Sequence, residues 1–157
     1  MDSTDTPMNN YRRQFVAAFA ACTVLPFTAR AQAPGAELVL YKDPNCGCCS
    51  KWAEHMQRNG FRVTAHDVAD LTAVKRKQRV PEPLGSCHTA IVTGYTIEGH
   101  VPADVVRRLL AERPPGIIGL AVPGMPLGSP GMESPTPQRY EILAFDAKGA
   151  SRVFERR

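Results

Sequence analysis

Cys46-Gly47-Cys48-Cys49 places three thiols within four residues, just after an apolar run that ends at Lys42, in a chain holding only five cysteines. Core packing does not call for such a cluster. A buried structural cysteine is normally single and inert, so grouped thiols signal metal binding, disulfide exchange or both. Cys87 is followed directly by His88, and Met125 and Met132 lie in a proline- and glycine-rich segment with no helix or strand to pack on. Thiolate, thioether and imidazole together are the donors that soft Cu(I) takes in preference to harder ions. Copper binding is the leading expectation.

Disulfides are the competing use of these thiols. Adjacent Cys48 and Cys49 cannot bridge without a strained peptide, and Cys46 to Cys48 would close a very tight ring. Cys46–Cys49 has the C-x-x-C spacing and could close, leaving Cys48 and Cys87 to pair with each other or stay free. The alternative function is therefore a thiol–disulfide oxidoreductase using Cys46 and Cys49. Cys48 counts against it, because a third thiol inside the motif would compete as a resolving group. Structural zinc fits less well, since it normally uses paired Cys/His spacings and would leave the methionines without a role. No feature identifies a small organic substrate, so a metal-binding or redox protein is expected rather than an enzyme acting on one.

The start of the chain reads as an address. Arg12-Arg13 form a positive region, residues 15–26 an apolar Ala-rich one, and Ala29-Arg30-Ala31 a cleavage site before Gln32. The apolar stretch is too short to span a membrane, which takes roughly 20 apolar residues. Tyr11-Arg12-Arg13-Gln14-Phe15-Val16 resembles a twin-arginine export signal, with an ordinary Sec signal as the other reading. Cys22 sits in a poor lipobox. Residues 1–31 are thus expected to be removed on export to a bacterial periplasm, leaving a linker at 32–37 and one domain at 38–157 with no membrane span. The net charge of +4 is too weak to imply nucleic acid. The one basic run, Lys75-Arg76-Lys77-Gln78-Arg79, reads as a solvated helix face.

The elements that must position the thiols follow from periodicity. Residues 37–42 form a buried strand, a helix runs over about 49–59 with Trp52, Ala53 and Met56 on one face, and 61–68 alternates as a second strand. Asp70 caps a helix reaching about Arg79. Residues 90–93 and 95–98 form a hairpin about Gly94, and 102–112 an amphipathic helix. This β-α-β-α-β-β-α order is that of an α/β, thioredoxin-like single domain, with the cysteine cluster at the first strand-to-helix junction. There the N–H groups and helix dipole favour a thiolate. Residues 116–137 read as a long Pro/Gly-rich loop, which Leu120, Val122, Met125 and Met132 mark as an ordered lid. Residues 139–145 and 151–155 close the chain as a β-hairpin.

With these elements in place, four motifs resemble one family. Cys46-Gly47-Cys48-Cys49 with Trp52, Ser86-Cys87-His88-Thr89-Ala90, the stretch from Gly94 to Pro102, and the stretch from Gly119 through Pro126 to Glu133 are similar to domain-of-unknown-function family 411, whose best-understood members are periplasmic CopG-type copper-resistance proteins. The resemblance spans about Leu38 to Phe154. It implies a thioredoxin-like domain with a cysteine-bridged, multinuclear copper cluster and Cu(I)/Cu(II) redox handling, with other periplasmic copper-handling proteins as candidate partners. Thiolates bridge metals, which suits a compact sulfur group shared by several ions. Cys46, Cys48, Cys49 and Cys87 are the expected core ligands, and His88, His100, Met125 and Met132 the expected outer ones. His55 is assigned to a solvated helix face, His66 to an alternating strand, and Trp52 to packing beneath the cluster.

Overall fold

The computed structural model describes residues 35–157. The export signal expected at 1–31, Cys22 included, and the start of the expected linker lie outside the described residues. Leu38 and Leu40 on β1 (Glu37–Lys42) are fully buried. The strand pairs in parallel with β2 (Arg62–Asp67) and antiparallel with β3 (His88–Val92). A parallel pair needs a crossover, and α1 (Gly47–Arg58) supplies it. The helix buries Cys49, Trp52, Ala53 and Met56, one stripe at helical spacing. α2 (Leu71–Lys77) is short, buries no residue fully, and is capped by Asp70, whose carboxylate accepts the Ala73 N–H at 3.1 Å. A 3₁₀ turn at Glu82–Leu84 leads into β3. β4 (Tyr95–Glu98) pairs back on β3, and α3 (Ala103–Glu112) lays Val105, Val106 and Leu109 on the same core as α1.

The chain then departs from the expected loop. Residues 117–121 form β5 (Ile117–Ala121), which pairs in parallel with β4, so the irregular segment shrinks to residues 122–140. A strand in the middle of a sheet reads as a continuous apolar run rather than an alternation, and the flanking glycines and prolines hid this one. Leu120 enters the main core while Ala121 joins Leu84 and Phe145 in a second, smaller cluster, so β5 is packed on both faces. β6 (Glu141–Asp146) and β7 (Ser151–Arg156) form the expected hairpin but continue the same sheet. The result is one mixed α/β domain with a seven-stranded sheet in the order β2-β1-β3-β4-β5-β6-β7. It is larger than a thioredoxin's. Among the described residues, no helix is long and apolar enough to cross a membrane.

Candidate metal centre

α1 begins two residues earlier than its periodicity indicated, so Cys46 is the N-cap and Cys48 and Cys49 fall in the first turn. Cys46 and Cys49 are joined by a disulfide with Cα atoms 5.4 Å apart, while Cys48 and Cys87 are free and half-buried. Cys48 Sγ lies 3.5 Å from Cys46 Sγ. Cys87 comes from the segment between the 3₁₀ turn and β3, and its backbone oxygen lies 3.7 Å from Cys49 Sγ. Two groups of donors converge: Cys46, Cys48, Cys49 and Cys87 in one, Cys87, His88 and His100 in the other, with ligand atoms within 4.8 Å of one another in each. Cys87 belongs to both.

The imidazoles are fixed from behind. His100 is fully buried, and its Nδ1 lies 2.8 Å from the Pro130 carbonyl oxygen. A carbonyl only accepts, so Nδ1 carries the hydrogen and Nε2 turns its lone pair to the Cys87 thiol at 2.9 Å. A hydrogen-bonded far nitrogen is how proteins orient a metal-binding histidine. His88 is also fully buried, 3.3 Å from Cys87 Sγ through Nδ1, with its ring against Trp52 and edge-on to His100. Its Nε2 is buried with no partner. Trp52 lies under the cluster as expected, its indole N–H donating to the Val101 carbonyl at 2.9 Å.

Burial, reinforced by the neighbouring Cys48, pushes the Cys87 thiol up to about 12. Burial holds His88 well below its ordinary value, with His100 and Lys75 adding to the effect. His100 is lowered by burial as well, against the pull of the Pro130 carbonyl. Both rings are therefore neutral, the form in which imidazole ligates. Cys87 is therefore held as the protonated thiol, whose proton a binding metal displaces. A soft donor set that includes an unpartnered buried nitrogen fits a soft metal ion.

Loop 122–140 reaches the centre through its Pro130-Gly131 turn. Gly131 has φ +87°, and a Cβ there would meet the Cys48 carbonyl oxygen at 2.7 Å and the Trp52 nitrogen at 2.9 Å. Neither backbone atom can yield without shifting α1. Left-handed backbone costs an alanine roughly 1–2 kcal/mol before any clash. Gly131→Ala is therefore expected to lower stability by about 2 kcal/mol or more, read as a lower urea midpoint at unchanged m-value. Met132 follows this turn and is half-buried. Met125 is 51 % exposed and follows Gly124, whose carbonyl accepts the Ser86 hydroxyl. Each methionine thus sits on a stretch of loop that touches the site's surroundings.

A polar network behind Cys87 escaped the sequence reading. Glu98 is fully buried, and its carboxylate accepts the Ser86 N–H at 2.6 Å, the Thr89 hydroxyl at 2.7 Å and the Lys75 ammonium. Lys75 also reaches the Thr89 hydroxyl at 3.1 Å. Burial raises the Glu98 carboxyl above its ordinary value, opposed by Lys75 and the two neutral donors. Lys75 had been assigned to a solvated face, but it turns inward while Arg76, Lys77 and Arg79 stay exposed. The available signal was an acidic residue placed directly after Ile97 and just before the Gly99 turn. His55 is likewise not on a solvated face, since its Nε2 accepts the Ala103 N–H at 3.1 Å at the start of α3. His66 stays on exposed β2, stacked on Tyr41, outside the site.

A family profile described as "Protein of unknown function, DUF411" matches residues 84–132, the stretch carrying Cys87, His88, His100, Met125 and Met132. Two solved structures of copper resistance protein CopG, forms 1 and 2, are each 40 % identical to the chain with a TM-score of 0.74. The matches cover 80 % and 78 % of this chain and 98 % of each CopG chain. No curated protein matches the chain significantly.

Proposed function

The chain belongs to the DUF411 family and is of the CopG type, and from that premise we propose that it is an exported, periplasmic copper-binding protein of copper resistance or homeostasis. The observation that carries the reading is the convergence of four sulfurs and two neutral imidazoles within bonding reach of shared metal ions. Cys48, Cys87, His88 and His100 are available with the bridge closed. Reduction of Cys46–Cys49 adds two more thiolates and completes the four-sulfur core. Met125 and Met132 add neutral thioethers from the loop, and copper supplies one-electron redox chemistry when bound. The thioredoxin-like reading applies to β1–β4 with α1 and α3, extended here by β5–β7. Other periplasmic copper-handling proteins are the proposed partners.

The test is metal content. Fully reduced protein loaded anaerobically with Cu(I) and desalted is expected to retain more than one copper per chain, because the thiolates outnumber one ion's needs and can bridge. Protein with the Cys46–Cys49 bridge closed is expected to retain fewer. A reduced protein that saturates at one copper would defeat the multinuclear reading, and a preference for zinc under competition would defeat copper.

A second reading has one observation in its favour: the Cys46–Cys49 bridge at the start of α1 is the arrangement of a thiol–disulfide oxidoreductase. Robust insulin-disulfide reduction by copper-free protein would support it.

A further inference from the structure

Residues 85–87 belong to neither the 3₁₀ turn nor β3, so no ladder of backbone bonds fixes the segment that carries Cys87. Its anchors are few. The Ser86 hydroxyl donates to the Gly124 carbonyl, Gly124 N–H reaches the Gly85 carbonyl at 3.4 Å, and Ser86 N–H donates to Glu98 at 2.6 Å. Of these three bonds only the last reaches the sheet that carries His88 and His100, whose rings the Cys87 thiol itself meets at 3.3 and 2.9 Å. Thr89 and Glu98 are direct partners across β3 and β4, so the carboxylate sits one residue from His88's strand position and two from His100. Gly99, at φ +69°, permits this approach, since a Cβ there would meet Ser86 Oγ at 2.4 Å.

A buried carboxylate–ammonium pair is a poor device for stability alone, because well-packed apolar residues often serve as well or better. Its oriented acceptors do what an apolar pair cannot. We propose that Glu98 is a positioning residue for the centre: braced by Lys75 and Thr89, it holds the Ser86 N–H and so sets where Cys87 Sγ stands relative to His88 and His100. The proposal rests on the copper reading, and it assigns the network a role in affinity as well as in folding.

Two double variants separate that role from charge and stability. Lys75→Met/Glu98→Gln removes both charges but keeps an amide oxygen to accept Ser86 N–H. Lys75→Met/Glu98→Leu removes both charges and the acceptor. Cu(I) affinity of reduced protein is measured by chelator competition. Independently, iodoacetamide labelling of Cys87 is followed by peptide mass spectrometry in metal-free protein with the Cys46–Cys49 bridge closed. The Gln pair is expected to match the parent in both readouts. The Leu pair is expected to bind Cu(I) about tenfold more weakly, the lower end of what loss of outer support costs a metal site, and to label severalfold faster. Equal affinity and equal labelling in the two pairs would overturn the proposal. If the Leu pair does not fold, Glu98→Asp with Lys75 retained withdraws the carboxylate from Ser86 N–H by one methylene. Faster labelling is again expected there, and parent-like labelling would overturn the proposal. A parent that bound no Cu(I) would defeat the copper reading, and the labelling contrast would still decide whether Glu98 positions Cys87.

Discussion

Cys48→Ser is expected to cut copper retention as severely as Cys46→Ser or Cys49→Ser, by at least about tenfold in affinity and with loss of the higher stoichiometry. Cys48 is a free thiol, 3.5 Å from Cys46 Sγ and within 4.8 Å of the sulfurs of Cys49 and Cys87. A hydroxyl is a hard donor and a poor ligand for Cu(I), so serine keeps approximate shape and removes the chemistry. The oxidoreductase reading makes the opposite forecast. Cys46 and Cys49 form the bridge by themselves, so Cys48 would be dispensable and its loss would suppress scrambling. Copper content after anaerobic loading and insulin reduction, measured side by side on the three variants, decide between them. Full copper binding with strong reductase activity in Cys48→Ser would reverse the ranking of functions.

The second large effect is on stability. Lys75→Met should lower the unfolding free energy by about 3 kcal/mol, because it leaves the Glu98 carboxylate buried without its counter-ion. The figure is set at the low end because the Lys75 side chain keeps 19 % of its exposure while Glu98 has none. Adding Glu98→Gln should recover most of the loss, since no unpaired charge then remains. Urea unfolding of parent, single and double variants gives the cycle. A Lys75→Met protein as stable as the parent would show that the pair contributes little, in the manner of exposed ion pairs.

What could be read before folding was whatever depends on neighbours in sequence. Leu38-Val39-Leu40-Tyr41 is an unbroken apolar run between Glu37 and Lys42, Trp52, Ala53 and Met56 repeat at helical spacing on α1, and Asp70 stands where a cap must be, so these elements were legible. The thiol cluster was legible for the same reason: three cysteines in four residues are a local fact, and soft-donor chemistry follows from residue type. β5 was not, because its apolar run carries no period, is interrupted by Gly119 and lies between Pro115-Gly116 and Pro123-Gly124, which read as loop. Nor was the size of the sheet, since pairing β5, β6 and β7 onto β4 is decided by partners rather than by each strand's own pattern.

The candidate donors could be named by residue type, but their mutual arrangement came only from tertiary structure. The family resemblance brought Cys87 and the histidines to the cluster as an expectation. The fold supplied the atoms that orient them: Pro130 O on His100 Nδ1, Gly131 against Cys48 and Trp52, Glu98 beneath Ser86. Charge patterning misassigned Lys75 and His55 because a charged residue beside other charged residues reads as solvated whichever way its side chain turns. Composition and spacing determined that this chain carries a cluster of soft donors at the start of a helix. Which sulfurs are bridged, which nitrogen faces the thiol and which carboxylate stands behind it depend on groups brought together from separate elements, where burial makes each unpaired polar atom costly enough to choose its partner.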